Sequence, residues 1–412
     1  MTGGGRILKW KRQPRLTIKH GLSNNLGFIP LPEDAAVNIL VVTKDARSGS
    51  GPGRNIVATL SALLRYSSAT ITLVSETMGD DIEGTAGPRF RWESDFHPKT
   101  VSKWPASLAT LKRAAKGSDV IWVPANLSSL LLAQSVRTGR PLLCGPNVSP
   151  LPHRRQDAPG RIETELLCDA WVEASVDRLR HVSRHAAPNR LLQIPHALSP
   201  DQFSPAFRDG EFWRRHGLTG AGPVSLYVGM DTQRKGLTHL LDALEMVNRD
   251  RAVPVQFAAV GQIGPENQAR IDSLPWMVAP GSFSGSELST AFASADFLVT
   301  PSSWENCPFV LLEAQGSGIP SICGNRGGMP EIISNGETGI VVDIASDRDG
   351  LHVPETPGRL AEAIVRLADD PALRARLGHA ARQRAVREFS LPRLARDMMD
   401  AFEQLKGTAP SV

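Results

Sequence analysis

Apolar residues between positions 36 and 198 fall into short continuous runs separated by polar or glycine-rich segments. The stretch AVNILVVTKDA (36–46) is such a run, and it is typical of a strand that is buried on both faces. The amphipathic stretch IVATLSALLRY follows it and predicts a helix. Further strands are predicted at residues 69–76, 119–125, 140–147, 170–175 and 190–198. This alternation of strands and helices predicts a parallel β-sheet.

A second series of the same kind begins after a segment of different composition. Residues 199–223 contain three prolines and four glycines without a buried strand pattern, which predicts a domain junction. A new strand is predicted at residues 224–230. The helix after it places five apolar residues on one face, namely Leu237, Leu240, Leu241, Leu244 and Val247.

The two series together predict an α/β protein with two tandem, doubly wound, Rossmann-like domains. Ligands of such folds bind at the carboxyl ends of the strands and in the cleft between the domains. We expect a basic segment at 1–35, a first domain at 36–198, a linker at 199–223, a second domain at 224–390 and a closing helical segment at 391–412.

The composition narrows the class of protein. The chain has 412 residues, of which 41% are hydrophobic and 21% are charged, as in an ordinary globular protein. We expect no membrane span, since no run of eighteen apolar residues occurs, and no nucleic-acid partner, since the net charge of +4 is small and dispersed. The cysteines lack metal-site spacing and are too few for a disulfide framework, which favours the cytoplasm: Cys144, Cys168, Cys307 and Cys323.

The amino-terminal segment is strongly basic. Five cations surround Trp10, namely Lys9, Lys11, Arg12, Arg15 and Lys19. Runs of this kind are most often solvated tails, and we favour that interpretation. The alternative is peripheral contact with an anionic membrane surface, at the inner face of the membrane.

Two carboxylates mark the candidate site in the second domain. Glu305 lies in the loop WENCP, directly after the predicted strand DFLVTPS, and Glu313 lies inside the helix that follows Pro308. The unpaired N–H groups at that helix start suit phosphate or sugar oxygens. Carboxylates accept hydrogen bonds from vicinal hydroxyls, so a sugar and a ribose are suitable ligands. Alternatively, Glu305 complements the helix dipole and Glu313 is a surface residue.

A basic pair follows the first strand of the same domain. Arg234 and Lys235 stand in the loop after Gly229, just before Gly236 and the next helix. Arginine and lysine suit a diphosphate, although such a pair is more often a solvated surface. The position of the pair favours a ligand site, because this loop and the loop of Glu305 leave the same edge of one predicted sheet.

A glycine-rich segment follows the first strand of the chain. In GSGPGR (49–54), Arg54 stands where a dinucleotide fingerprint would have its third glycine. We expect Gly51, Gly53 and Arg54 to form a tight turn near the phosphates or the acceptor. The segment, with Glu76 at the end of the next strand, also motivates a minor alternative, a nicotinamide-dependent dehydrogenase.

These residues lie in a region that resembles a known family. The chain looks like a retaining, nucleotide-sugar-dependent glycosyltransferase of the GT-B fold, family 4 type. The segment LYVGMDTQRKGL, the E-x7-E pair of Glu305 and Glu313, and the following GGMPEII and NGETG carry the resemblance in order and spacing. The resemblance covers about 220 to 412 well and about 36 to 200 loosely.

The resemblance implies roles for the candidate residues. Glu305 would lie beside the donor sugar, Glu313 would bind the nucleotide ribose, and the catalytic environment would include Arg234 and Lys235 on the diphosphate. Backbone amides after Glu305 would contact the donor, which concerns Asn306, Cys307 and Phe309, and Gly229 would also belong to the donor site. The resemblance also implies no metal or other cofactor, and a final helix that crosses back to the first domain.

The resemblance implies transfer of a sugar from a UDP- or GDP-sugar to a sugar, lipid-linked or glycan acceptor, with retention, in cell-surface polysaccharide or glycolipid assembly. Three segments depart from the family pattern: Met230 stands where an arginine is common, and residues 144–150 and 196–199 differ. The altered segments 144–150 and 196–199 motivate a second hypothesis, a non-catalytic sugar-nucleotide-binding paralogue that acts as a partner subunit.

Overall fold

The first domain is built on a parallel sheet. A computed structural model describes residues 36–48, 51–83, 87–125, 127–147, 168–183, 191–344 and 351–407 of the chain. Within these residues, seven strands form the first sheet in the order β5-β3-β1-β6-β7-β8-β9, and a two-residue pair, β2 with β4, lies beside it. The strands are β1 (Asn38–Val42), β2 (Asp45–Ala46), β3 (Thr70–Val74), β4 (Thr77–Met78), β5 (Phe90–Glu93), β6 (Val120–Ala125), β7 (Leu142–Asn147), β8 (Ala170–Glu173) and β9 (Leu191–Gln193).

The second domain repeats this plan. Among the described residues its sheet has six parallel strands in the order β12-β11-β10-β13-β14-β15, so the order reverses beside β10, where β10 pairs with β13. Reversals of this kind are where doubly wound sheets bind ligands. The strands are β10 (Val224–Val228), β11 (Gln256–Val260), β12 (Met277–Gly281), β13 (Phe297–Thr300), β14 (Ser321–Gly324) and β15 (Gly339–Val342).

Helices cover both sheets. In the first domain they are α1 (Gly51–Tyr66), α2 (Asp80–Glu83), α3 (Trp104–Ala115), α4 (Leu127–Val136) and α5 (Val176–Ser183). From there to the end of the second domain they are α6 (Phe212–Arg215), α7 (Leu237–Asn248), α8 (Pro265–Asp272), α9 (Gly285–Ser294), α10 (Phe309–Gly316), α11 (Met329–Ile332), α12 (Thr356–Asp369) and α13 (Pro371–Glu388). None of the helices in the described part of the chain is long and apolar enough to cross a bilayer. The predicted apolar face of α7 is buried.

The segment predicted as a linker contributes to the second domain. Phe203, Phe212, Trp213 and Leu218 are buried in one cluster with residues of β10, β11 and α10. Burial of large side chains of this kind stabilises a fold by about 1.5–3 kcal/mol each. Much of 199–223 is therefore packed structure, whose core residues stand among prolines and glycines in the sequence.

The last helix returns to the first domain, as predicted. Helix α14 (Leu391–Lys406) buries an apolar stripe that includes Leu394, Met398 and Phe402 in the same core as β1, β3 and α1. The chain thus crosses between the domains twice. The two crossings touch each other: the Leu198 N–H donates to the Phe389 carbonyl at 2.9 Å, and Leu198 forms a parallel bridge with Ser390.

Candidate active site

The two predicted loops of the second domain meet at the reversal of its strand order. The loop after β10 carries Arg234 and Lys235, and the loop after β13 carries Glu305. A backbone hydrogen bond ties the loops together, because the Ser303 N–H donates to the Arg234 carbonyl at 2.9 Å. The site therefore lies where the fold predicts a ligand.

Glu305 is paired with both cations of the basic loop. Its Oε1 lies 2.7 Å from Arg234 Nη1 and 2.6 Å from Lys235 Nζ. Glu305 and Lys235 are mostly buried, whereas Arg234 is about half exposed and also donates to the Trp304 carbonyl at 2.6 Å. Two cations on one carboxylate leave a net positive charge, which favours an anion.

Two glycines fix the backbone of Glu305. Gly327 forms a parallel bridge with Glu305 and has φ +66°, a conformation that favours glycine, while the Gly328 N–H donates to the Glu305 carbonyl at 2.8 Å. A Cβ on Gly327 would stand 1.9 Å from the Glu305 carbonyl oxygen, and one on Gly328 would stand 1.9 Å from that of Asn306. The loop thus depends on both glycines for its position.

Glu313 faces the first domain. It is 1% exposed on α10, and its Oε1 forms an ion pair with Arg54 of α1. Its Oε2 is buried without a hydrogen-bond partner in the described part of the chain. A buried carboxylate oxygen without a donor is costly, so this oxygen is suited to accept a hydrogen bond from a ligand hydroxyl.

An aromatic layer lies beside this ion pair. The Arg54 guanidinium stands over the Phe309 ring, 4.5 Å from its centroid, and His196 stacks on Phe309 with centroids 4.8 Å apart. His196 Nδ1 lies 3.0 Å from the Cys307 carbonyl. Burial lowers the pKa of His196 to about 4, so its ring is neutral at pH 7, and burial raises the pKa of the Cys307 thiol to about 12.

Asn306, which follows Glu305 in the loop after β13, connects the second domain to the first. The Ser175 hydroxyl donates to Asn306 Oδ1 at 2.6 Å, and Asn306 Nδ2 donates to Glu173 Oε2 at 3.2 Å. Glu173 also accepts from Trp171 Nε1 at 3.1 Å and lies 3.5 Å from Arg178 Nε. Burial outweighs these partners and raises the pKa of Glu173 to about 7.

Glu331 forms a second tie between the domains. Its carboxylate accepts from the N–H groups of Val176 and Asp177 at 3.0 and 3.2 Å, and from Gln193 Nε2 at 2.7 Å. A carboxylate of the second domain therefore caps helix α5 of the first. Arg384 of α13 holds the Glu331 carbonyl at 2.8 Å, which fixes the capping residue in its own domain.

The glycine-rich segment of the first domain differs from its prediction. Gly51, Gly53 and Arg54 belong to the first turn of α1, because the helix begins at Gly51 with Pro52 at its second position, where proline favours a helix start. Arg54 reaches the cleft through its side chain. Glu76 lies 4.0 Å from Lys44 and 3.4 Å from His97, in a separate cluster.

The remaining predictions concern Gly229, Met230, the amides after Glu305 and two segments outside the described residues. Gly229 follows β10 and its N–H donates to the Val260 carbonyl at 2.9 Å, so this amide is already used, and Met230 is exposed to solvent. Among the described residues, the main-chain N–H groups of Asn306, Cys307 and Phe309 have no protein acceptor. The basic segment and residues 148–150 lie outside the described residues.

Three functional candidates were missed by the reasoning from sequence. Glu173, Ser175 and Glu331 lie at the domain contact, and the local sequence around Glu173 and Ser175 does not indicate it. For Glu331 a signal existed, since it follows two consecutive glycines in GGMPEII, and paired glycines indicate close backbone approach.

The arrangement suits a phosphorylated ligand with hydroxyl groups. The site contains three cations and two carboxylates. Arg234 and Lys235 pair with Glu305, and Arg54 pairs with Glu313. Free amides at the start of α10 add donors for oxygen atoms. Among the described residues, no group of three or more His, Cys, Asp or Glu side chains is placed to hold a metal ion.

Comparison with known proteins shows what the second domain is similar to. Residues 210–384 match the sequence profile of the family described as Glycosyl transferases group 1. Alpha-maltose-1-phosphate synthase of Mycobacterium tuberculosis is 28% identical over 230 residues, which are 53% of this chain and 58% of that protein. The chain spans a little under three fifths of the length of the first curated relatives that it matches.

Solved structures show the same fold over most of the chain. A glycosyltransferase from Rickettsia africae superposes with a TM-score of 0.71 at 17% identity, over 90% of this chain and 99% of the other. Anabaena HepE, solved with UDP and glucose, superposes with a TM-score of 0.69 at 15% identity, over 89% and 100%. The chain therefore has the GT-B fold, as predicted.

Proposed function

We propose that this chain, whose residues 210–384 match the family described as Glycosyl transferases group 1, is a glycosyltransferase that uses a nucleoside diphosphate sugar. The observation that carries the proposal is the pairing of Glu305 with Arg234 and Lys235, at the same cleft edge as the buried Glu313. These groups offer partners for each part of such a donor.

We propose one orientation for the donor in the site. Arg234 and Lys235 take the diphosphate, because guanidinium and ammonium groups form charge-assisted hydrogen bonds with phosphate oxygens. Glu313 accepts from the ribose hydroxyls through its unpartnered Oε2. Glu305 and the free amides after it then face the sugar.

The reaction breaks the bond between the sugar and the diphosphate. The diphosphate gains negative charge as it departs, and the fixed cations stabilise that charge, which is the main electrostatic task of the step. The acceptor hydroxyl attacks from the face that the diphosphate leaves, so the anomeric configuration is retained, and a donor phosphate oxygen takes the proton. We propose that no metal ion takes part.

The proposal also includes the nucleotide of the donor and the pathway of the acceptor. HepE was solved with UDP and glucose, and one relative of 27% identity is a GDP-mannose-dependent alpha-mannosyltransferase of Corynebacterium glutamicum. We propose UDP or GDP as the nucleotide and an acceptor in cell-surface polysaccharide or glycolipid assembly. Peripheral contact of the basic amino terminus with a membrane stays a prediction.

The partner-subunit hypothesis is not favoured by the site. The hypothesis rests partly on the unusual sequence of residues 196–199. In the structure His196, Ala197 and Leu198 are buried in the first crossing between the domains. This departure from the family pattern therefore concerns the hinge and its packing against Phe309. The dehydrogenase hypothesis has no support from the family match.

The test begins with nucleotide binding. We expect UDP or GDP, but not both equally, to raise the melting temperature, with a saturating ligand adding about 2–4 kcal/mol of stability. Glu313→Ala should abolish the shift, whereas Glu337→Ala, at an exposed position of the same domain, should keep it. The absence of a shift with any nucleoside diphosphate would contradict the proposal.

Turnover is tested without knowledge of the acceptor. Slow release of UDP or GDP from the matching nucleotide sugar, with water as acceptor, should be lost in Glu305→Ala. Treatment with EDTA should leave the rate unchanged. Nucleotide binding without any release would favour the partner subunit, and a rate that requires added metal would overturn the metal-free mechanism.

A further inference from the structure

The loop that carries Glu305 is held at both ends by a histidine side chain. It runs from Pro301, directly after β13, to Pro308, directly before α10. His352 contacts the main chain at the first of these residues, and His196 contacts it next to the last. We propose that these two histidines are positioning residues, which fix Glu305 and the amides after it against the donor sugar. The inference rests on the proposed function and adds to it two residues that are assigned no contact with the donor.

His352 supports the start of the loop. Its Nε2 lies 2.5 Å from the Pro301 carbonyl oxygen, and because a carbonyl only accepts, Nε2 carries the proton. The ring also lies against Gly236, where a Cβ would stand 2.5 Å from His352 Nε2 and 2.6 Å from the Pro301 oxygen. Gly236 directly follows Lys235, so one imidazole contacts both loops of the candidate site.

His196 supports the end of the loop. It is buried in the first crossing between the domains, and its Nδ1 lies 3.0 Å from the Cys307 carbonyl oxygen. This hydrogen bond fixes the peptide plane between Cys307 and Pro308. The ring also stacks on Phe309, the first residue of α10, with an interplanar angle of 16°. His196 thus contacts two residues, Cys307 and Phe309, whose N–H groups face the sugar in the proposed donor orientation.

The two supports are themselves fixed by neighbouring structure. Arg393 of α14 donates to the His196 carbonyl at 2.9 Å, so the second crossing holds the first at this residue. Next to His352, the Val353 N–H donates to the Ile344 carbonyl at 3.1 Å. A side chain positions a site only when its own backbone is held, and both histidines meet that condition.

Both rings are neutral at pH 7. Burial lowers the pKa of His196 to about 4 and also lowers the pKa of His352 below its usual value. A neutral imidazole has a single N–H, so each histidine gives its only donor to the loop. The two rings are therefore opposite tautomers, with the proton on Nδ1 in His196 and on Nε2 in His352.

The position of the loop matters for the rate more than for nucleotide binding. In the proposed donor orientation, Arg234 and Lys235 bind the diphosphate and Glu313 binds the ribose, whereas Glu305 faces the sugar. A displacement of about 1 Å near the reacting atoms can cost about 100-fold in rate. Loss of either support should therefore lower the rate of sugar transfer much more than the affinity for UDP or GDP.

Amide side chains of matched length separate positioning from packing. Asparagine places its Nδ2 where histidine has Nδ1, and glutamine places its Nε2 where histidine has Nε2. His196→Asn and His352→Gln therefore keep the hydrogen bond to the loop, whereas the mismatched variants His196→Gln and His352→Asn lose it. His379→Ala, at an exposed position of α13, is the control for removal of a histidine from the same domain.

The measured quantities are kcat for release of UDP from UDP-glucose or GDP from GDP-mannose, and the Kd of UDP or GDP by calorimetry. We expect kcat to fall about 10–100-fold in the mismatched variants, with Kd rising less than about threefold. The matched variants should recover most of the rate, and the control should keep it. Equal kcat in the matched and the mismatched variants would show that the rings only pack, and would overturn the inference.

Nitrogen-15 NMR of the histidine rings tests the two hydrogen bonds without any nucleotide. We expect His196 and His352, assigned from the signals that each variant lacks, to be opposite neutral tautomers at pH 7. The same tautomer in both rings, or a charged ring, would overturn the inference while leaving the nucleotide melting shifts untouched. If the unchanged protein binds no nucleoside diphosphate, the proposed function fails and the positioning role fails with it, whatever the tautomers are.

Discussion

Glu331 offers the sharpest test of how the two domains are held together. Its carboxylate accepts three hydrogen bonds from the first domain, from the N–H groups of Val176 and Asp177 and from Gln193 Nε2. Glu331→Ala removes all three and leaves the first two N–H groups of α5 without an acceptor, while the Ser175 hydroxyl still accepts from the Arg178 N–H at 3.2 Å. The backbone of Glu331, which Arg384 holds, is unchanged.

The size of the effect follows from these contacts. Loss of a helix cap costs about 1 kcal/mol, and hydrogen bonds to a charged group contribute about 1.5–3 kcal/mol each when fully buried. Water replaces part of this loss, because Val176 and Asp177 are only half-buried. We therefore expect a loss of roughly 3 kcal/mol, which for a domain of this size lowers the melting temperature by about 6–12 °C.

The assay is thermal unfolding, followed by small-angle scattering of the intact variant. Glu337→Ala is the matched control, since Glu337 is exposed a few residues along the same chain segment. We expect a lower melting temperature and a larger radius of gyration for Glu331→Ala alone. If the two variants melt together and scatter alike, the capping contact does not hold the domains and the reasoning fails.

Three further predictions concern the site. Burial raises the pKa of Glu173 to about 7, so the folded protein binds the Glu173 proton more tightly than the unfolded chain does. The free energy of unfolding should therefore fall as the pH rises from about 5 to about 7. Across that range the urea midpoint of Glu173→Gln should fall less than that of the unchanged protein. Gly336→Ala should lose about 1–2 kcal/mol of stability from left-handed backbone strain alone, because its Cβ would meet no other atom. Gly327→Ala should lose more than this and should also weaken UDP binding, because its Cβ would meet the Glu305 carbonyl. Equal urea midpoints for the two variants would contradict this prediction. Lys235→Ala should weaken UDP binding about tenfold or more by calorimetry, and an unchanged affinity would remove Lys235 from the diphosphate site.

The sequence predicted the strands that are buried on both faces and missed two at sheet edges. Strands β5 (Phe90–Glu93) and β12 (Met277–Gly281) each have half-buried or exposed residues, so neither shows a continuous apolar run. Similarly, Phe212 and Trp213 stand between glycines and prolines, which hid their place in the second core. Local pattern is informative where burial is continuous along the chain.

The site was predictable to the extent that it lies within one sheet. Arg234, Lys235 and Glu305 leave neighbouring strands at one edge, so their meeting follows from the strand order. The pairing of Arg54 with Glu313 joins residues 259 positions apart, and the cap by Glu331 depends on how the domains face each other. Contacts of that kind are set by the packing of two complete domains, which no local spacing encodes.

The two crossings between the domains act mechanically as one hinge. Since the Leu198 N–H is bonded to the Phe389 carbonyl and Leu198 bridges to Ser390, we expect the two crossings to move together. We expect that, once the contacts across the cleft are released, the main motion of the domains is a change of opening angle rather than free rotation about one strand. One pair of distance labels across the cleft is enough to follow that motion.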